Sequence, residues 1–347
     1  MAMREILGPK GEIHTVSHVA RHSPKNEEAW IDIVNKAANA IEHKVNPGPQ
    51  DFLADLDDFL MEMGEPGGRT SGYAQYRVFR EAKRQGLTVM LDGQGADELL
   101  GGYAGYMTNF LWELLVQGHW VRMLNVLTSG HLRAKTSIGH QVSRLFYYHL
   151  PVPLVHQLGK LLRKEECPRW LNRTRISMET AEIENGYRRR CQVGFKVSLS
   201  DSVSSTLVNL LRFEDRNSMR FSIESRVPFL SNRFADRVLS MPANYLIGPQ
   251  GQSKYVFREA MRGLVPGQIL NRKDKIGFEN DEVLWLRQAV DWVNRLLAAS
   301  EGRSSLVNMA VLRAEWLRFN QGEFCSAVSL WNVLLYLRWL ELYNATD

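Results

Sequence analysis

No apolar run in this sequence approaches the roughly 20 residues that a membrane-spanning helix needs, so no membrane helix is expected. The opening residues, Met1-Ala2-Met3-Arg4-Glu5-Ile6-Leu7, hold no apolar signal segment, and a cytoplasmic location is the expectation. Cysteine is scarce: Cys167, Cys191 and Cys325 are isolated and odd in number, which excludes a disulfide framework and suits reduced packing residues. Internal repeats and low-complexity tracts are lacking as well. The net charge of +5 is mild. Basic clusters at Arg163-Lys164, at Arg169, Arg173 and Arg175, and at Arg188-Arg189-Arg190 lack interleaved aromatics and read as solvated faces, so a nucleic-acid partner is not expected. What remains is 347 residues, 44% hydrophobic and 23% charged, the composition of a soluble globular chain with one large domain or two smaller ones.

Residues 90–103 are the most informative segment. The β-type run Leu87-Thr88-Val89-Met90-Leu91 stops at Asp92, turns through Gly93, Gln94 and Gly95, and enters a helix-like stretch with Asp97 and Glu98 in its first turn. Glycines let backbone N–H groups approach an oxyanion, and the free amides of a helix start point at it. Two carboxylates there would repel a bare phosphate but suit one that arrives with Mg²⁺, a hard ion that prefers oxygen ligands. The plainer reading, acidic residues complementing a helix dipole, stays open on spacing alone.

Two further segments concentrate charge. Arg212 to Leu230 packs seven charged residues among Phe213, Met219, Phe221, Ile223 and Phe229. Such charges must reach solvent or pair, because an unpaired buried ion costs several kcal/mol. Pro228 pushes Val227 toward extended geometry, which leaves Glu224 and Arg226 near a helix-to-strand corner. They line a cleft there, or they join Asp215 in an ion-pair network that buttresses the corner. In Ser253-Lys254-Tyr255-Val256-Phe257-Arg258, a helix would put Lys254 and Arg258 on one face, where an anion could bridge them. A pair of surface charges is the alternative.

Taken in order, these segments resemble motifs of the asparagine synthetase family. Members commonly read Leu-Ser-Gly-Glu-Gly-Ala-Asp-Glu followed by Gly-Gly-Tyr where this chain has residues 91–98 and 101–103; Asp92 stands for the usual Ser and Gln94 for the usual Glu. The family's Asp-Arg, Met and Glu-x-Arg-x-Pro-Phe are matched at Asp215-Arg216, Met219 and Glu224 to Phe229, with Ser231 where Asp is usual. Its Lys-x-x-Leu-Arg is matched from Lys254 to Arg258 with Phe257 for Leu, and its Arg-x-Lys-x-Gly-Phe loop resembles Arg272 to Phe278, which carries Lys275. The resemblance covers residues from about 12 to 345.

It implies an α/β fold, a parallel doubly wound sheet of the adenine nucleotide alpha hydrolase type in residues 12–103, followed by a large helical half in 104–347. The implied reaction adenylates the β-carboxylate of aspartate with ATP and Mg²⁺, releases pyrophosphate, and lets ammonia displace AMP. Implied roles are Asp92, Gly93, Gln94, Gly95, Asp97, Glu98 and Lys275 near the nucleotide phosphates, Asp97 and Glu98 toward the metal, Lys254 and Arg258 for transition-state charge, and Glu224, Arg216 and Arg226 around the carboxylate substrate. Gln94 removes a carboxylate that the family places beside the pyrophosphate. The family's Ser-Gly-Gly-x-Asp-Ser loop and the nucleophilic Cys that opens its glutaminase domain do not occur in this sequence. The expectations are therefore a chain impaired alone, and either an N-terminally truncated product or fragment or a chain that works with a separate partner supplying the loop and the glutaminase, with ammonia from solution or from that partner. A peptide or β-lactam cyclase-like ligase and a non-catalytic copy are the other open classes.

Alternation predicts strands at 12–17, 43–45 and 87–91, with helices at 26–42, 51–62 and 71–85. Longer helices are expected over 106–127, 141–162, 202–218, 253–262, 281–299 and 306–343. Without the family's first strand, hydrogen-bond accounting predicts that 12–17 pairs in parallel with 87–92. The alternatives are a slot of about two strand spacings, roughly 10 Å, between them, or a slot filled by residues 1–11.

Overall fold

The computed structural model describes all residues except 24–25, 68, 134–136, 150–167, 173–193, 275–279 and 324–325. Strand β1, His14–His18, pairs in parallel with β2, Ile41–Val45, in the register His14 to Ile41 through His18 to Val45. Helix α1, Glu28–Ala38, makes the crossover. It stops four residues before the expected end because Asn39 takes a left-handed conformation, φ 46°, and the β-branched Ile41 begins a strand.

Helix α2, Pro49–Met63, begins where Gly48 donates its N–H to Asp51 Oδ2 at 2.8 Å and ends at Gly64, φ 67°. Helix α3, Arg69–Arg84, then leads to β3, Val89–Leu91. Between β3 and its partner come α4, Ala96–Leu100, and α5, Thr206–Arg220. Strand β4, Glu224–Arg226, pairs in parallel with β3, Val89 opposite Glu224 and Leu91 opposite Arg226.

Among the described residues the strands thus form two separate parallel pairs, not one continuous doubly wound sheet. The expected pairing of 12–17 with 87–92 does not form: among the described residues β1 pairs with β2 and β3 with β4. Both pairs rest on α3: Val16 of β1 and Met90 of β3 pack on one small cluster with Phe79, Ala82 and Ile223. Register fixes which edges face away from the partner strand. Ile13 and Val19 bond to β2, so His14, Val16 and His18 turn their backbone groups the other way; Thr88 and Asp92 bond to β4, so Val89 and Leu91 turn theirs away. Residues 2–7 form a short helix whose Arg4 guanidinium donates to the carbonyls of Ala38, 2.7 Å, and Asn39, 3.0 Å. They add no strand.

The helical part is built on two larger cores. One joins Phe52, Leu56, Phe59 and Leu60 of α2 and Tyr73 and Tyr76 of α3 to Trp285, Trp331 and the C-terminal helices. The other surrounds Leu99 and Leu100 with Tyr106, Phe110, Phe195 and Ile247. Several expected long helices are broken. Gly118, φ 74°, separates Ala104–Val116 from Trp120–Thr128. Other breaks fall at Ser205, at Ala289 and between Met309–Asn320 and Ala327–Leu342.

Candidate functional site

The β3 and β4 ladder brings the turn after residue 91 against the segment 224–230. Asp92 donates its N–H to the Arg226 carbonyl at 2.9 Å, and its carboxylate sits beside the N–H groups of Gly93 and Gln94. Burial pushes the Asp92 carboxyl above its ordinary range, and those two amides pull it back. Gly95 has φ 85°, and a Cβ there would lie 2.1 Å from Leu230 Cδ2. That position therefore requires glycine on two grounds, conformation and space. Around Gly93 nothing would obstruct a Cβ within 4 Å, so this part of the turn is open.

The two acidic residues of α4 diverge. Asp97 forms an ion pair with Lys254 at 2.8 Å. A side chain at Gly102 would displace that pair, since its Cβ would fall 1.7 Å from Asp97 Oδ1 and 2.9 Å from Lys254 Cε. Glu98 is buried, 1% exposed, and accepts a hydrogen bond from the Tyr103 hydroxyl. Asp97 alone is placed to offer a carboxylate to a hard cation, in keeping with the habit of Mg²⁺ to take one or two carboxylates and complete its shell with phosphates and water. Among the described residues no group of three or more His, Cys, Asp or Glu could hold a metal ion unaided.

Lys254 and Arg258 do not share the face expected of them. Lys254 has φ 57° and precedes helix α6, Tyr255–Ala260. Its N–H reaches the Leu100 carbonyl at 3.2 Å, which ties α6 to the end of α4. Arg258 is turned inward, its guanidinium donating to the carbonyls of Ser253, 3.0 Å, Arg272, 3.0 Å, and Leu270. Burial lowers its pKa, with Arg272 adding to the effect. It fixes the loop at 270–272. Arg272 pairs with Glu27 at 2.6 Å and lies over the Trp30 ring, 5.0 Å from its centroid. Lys275 lies outside the described residues.

Glu224 and Arg226 are exposed on one face of β4 and pair with each other at 2.8 Å. Ser225 between them points the other way. Arg216 lies elsewhere: Arg212, Arg216 and Arg220 repeat every fourth residue along α5 and reach Glu65, the Glu62 carbonyl and Asp58 on or just beyond α2. Ion pairs thus line that face of α5, while at the corner Glu224 and Arg226 pair with each other and Asp215 stands exposed on the helix.

One residue at the site escaped the sequence reading. Glu214 of α5 is 2% exposed; its Oε1 accepts from the Ser225 hydroxyl, and its Oε2 has no partner. Burial, with the charge of Asp92 beside it, pushes its carboxyl up to about 7. The signal was periodicity: Leu207, Glu214, Asn217 and Ser218 share the buried face of the helix, whereas Asp215, singled out by charge density, is exposed. Separately, a cavity of about 470 Å³ opens beyond the carboxyl ends of β1 and β2, where Ala20, Asn46 and Gly48 meet Asn280, Asp281 and Trp285. Its position joins the α/β part to the helical part.

Comparison with known proteins follows this geometry. The family described as Asparagine synthase matches residues 2–341. Asparagine synthetase [glutamine-hydrolyzing] 1 of Bacillus subtilis (strain 168) is 24% identical over 319 residues, covering 84% of this chain and 46% of the relative. A putative asparagine synthetase [glutamine-hydrolyzing] of Mycobacterium tuberculosis (strain ATCC 25618 / H37Rv) is 24% identical over 329 residues, covering 84% and 45%. A second putative asparagine synthetase [glutamine-hydrolyzing], from Methanocaldococcus jannaschii, is 32% identical over 107 residues, 30% of this chain and 20% of the relative. The chain belongs to the asparagine synthase family. It spans a little under half the length of the first two relatives. Among the described residues no helix is long and apolar enough to cross a membrane.

Proposed function

We propose that this chain is the synthetase part of an ATP-dependent amide-forming ligase that makes asparagine from aspartate, and that it works with a further segment, on its own or another chain, that supplies the phosphate loop. The observation that carries the reading is the convergence of three sequence-distant motifs. The turn at 92–98 meets Arg226 through β3 and β4, Leu230 through Gly95, and Lys254 through Asp97. In this reading Asp97 takes the metal, which supplies charge neutralisation to the phosphates, and Lys254 adds positive charge beside it. Glu98 with Tyr103 and Arg258 with the 270–272 carbonyls hold the frame. Glu224 and Arg226, exposed and paired only with each other, receive the ammonium and carboxylate of the amino-acid substrate.

The partner reading rests on the two half-sheets. The edges of β1 and β3 that face away from their partner strands lie on one helix, and Val89 and Leu91 are 44% and 51% exposed, an unusual state for apolar strand residues. A parallel strand laid between those edges would satisfy their backbone groups and carry a phosphate loop to Asp92. Pyrophosphate exchange into ATP, with aspartate and Mg²⁺, tests both parts. The chain alone should show little or none, and a strand-loop segment with Ser-Gly-Gly-x-Asp-Ser added in trans should restore it. Strong exchange by the chain alone would reject the need for a partner; none in either case would favour a non-catalytic copy.

A further inference from the structure

The turn after β3 already holds an anion of its own. The backbone amides of Gly93 and Gln94 lower the Asp92 carboxyl against the burial that raises it, so they already serve a carboxylate at this turn. Behind it lies Glu214, 2% exposed, with one oxygen satisfied by Ser225 and the other shielded from solvent with no donor. Register puts the two acids at the same end of one two-stranded sheet: Ser225 sits opposite Met90, and the next residue, Arg226, accepts the Asp92 N–H.

We propose that Asp92 is the resident anion of this turn and that Glu214 is the positioning residue that keeps Asp92 there while neutral and expels it when ionised. The physical basis is like-charge repulsion in a shielded place. A carboxylic acid beside a carboxylate is tolerated, and two carboxylates are not. Of the two, Asp92 is partly exposed and can swing to water, whereas Glu214 is enclosed.

Other charged groups on the surrounding elements are committed elsewhere. On α3, Arg77 and Arg80 pair with Asp55. On and after α2, Asp58 and Glu65 face Arg220 and Arg212. On α5 itself Asp215 and Arg216 are exposed, and Glu62 offers Arg216 its carbonyl. On β4, Glu224 and Arg226 pair in solvent. On α4, Asp97 is held by Lys254 and Glu98 by Tyr103. Helix Phe195–Ser204 contributes Lys196, which donates to the Leu239 and Met241 carbonyls, and Asp201; neither is among the groups that act on Glu214. The charge that acts on Glu214 is that of Asp92, and with burial it sets the titration at about 7.

The test is made on the full ligand-free chain by following the Gly93 and Gln94 amide resonances from about pH 5.5 to about pH 8.5, a window that brackets the Glu214 carboxyl. Both should move with a common midpoint near 7. The midpoint should vanish in Glu214→Gln and rise in Ser225→Ala, which removes the hydrogen bond that favours the charged form. Amides that do not titrate near 7, or that titrate identically in Glu214→Gln, would overturn the proposal.

A second arm uses inorganic pyrophosphate without metal, and it rests on the phosphate-site reading above. Asp92→Ser should bind about tenfold more tightly than the natural chain below pH 6, a factor worth one pH unit of competing charge, and the difference should shrink above pH 8. Amide shifts as predicted with no pyrophosphate binding in any variant would uphold the role of Glu214 and reject the phosphate site.

Discussion

The two half-sheets are built alike and behave differently. Each is a pair of parallel strands resting on α3, and each runs through a glycine into a helix: β2 through Gly48 into α2, β3 through Gly95 into α4. In the first pair the partners are neighbours in sequence, joined by one crossover helix, and the glycine has room around it. In the second the partners are Val89–Leu91 and Glu224–Arg226, with seven of the described α-helices between them, and the glycine is clamped under Leu230. A local pair folds a scaffold. The long-range pair gathers chemistry, because whatever flanks its two strands is brought together from distant parts of the chain.

The largest effect that would separate the two is expected at those glycines. Gly95→Ala must place a side chain at φ 85° and 2.1 Å from Leu230, and should lose about 3 kcal/mol or more in urea unfolding through overpacking and backbone strain together. Gly48→Ala has φ −104° and no atom nearer than 3.7 Å, and should change stability by less than about 1 kcal/mol. Equal losses at the two sites would contradict the distinction.

Next comes the buried acid, which only the long-range pair possesses. The folded state raises the Glu214 carboxyl to about 7 from an ordinary value of 4.5. The folded protein therefore holds that proton more tightly than the unfolded one. Its contribution to stability is complete below about pH 4.5 and is lost as pH rises through 7. Glu214→Gln should flatten stability between those values and leave the variant more stable at pH 8, by up to roughly 3 kcal/mol. Denaturation midpoints measured at pH 5 and pH 8 for both proteins decide it; parallel profiles would mean that Glu214 is not neutral at the lower pH.

Smaller still is the exposed corner. Glu224 and Arg226 are paired in solvent at 2.8 Å, with side chains about three-fifths exposed, so Arg226→Gln should leave the urea midpoint almost unchanged. In a reconstituted exchange assay the same change should raise the aspartate concentration needed for half-maximal rate by about tenfold, the loss expected for one charge-assisted contact. A stability loss with unchanged aspartate dependence would return this pair to a structural role.

This contrast also marks what the sequence could tell. Around the local pair the elements were legible but their pairing was not: the strand at 12–17 and the helices at 51–62 and 71–85 follow from alternation and amphipathic spacing, and the structure places elements at His14–His18, Pro49–Met63 and Arg69–Arg84, yet β1 pairs with Ile41–Val45 and not with 87–92. Strand β4 was not. Its residues, Glu-Ser-Arg, carry no β signal, and they are extended because Pro228 follows closely and β3 needs a partner. Asp97 with Lys254 was half legible, each residue marked by its motif but their pairing set by Gly102, which leaves them space. Arg258 misled, since spacing on a helix says nothing of carbonyls in a loop at 270–272. Glu214 was hidden because charge density drew attention to the exposed side of its helix.

The central claim is that the long-range pair, with Lys254 closing on Asp97, makes a place for phosphate that arrives with Mg²⁺. Calorimetric titration of the full chain with pyrophosphate, with and without Mg²⁺, tests it most directly. Weak binding that depends on Mg²⁺ and falls further in Asp97→Asn is the predicted result. No dependence on Mg²⁺, or an affinity unchanged by Asp97→Asn, would reduce the acidic residues of α4 to partners of Lys254, Tyr103 and the helix dipole.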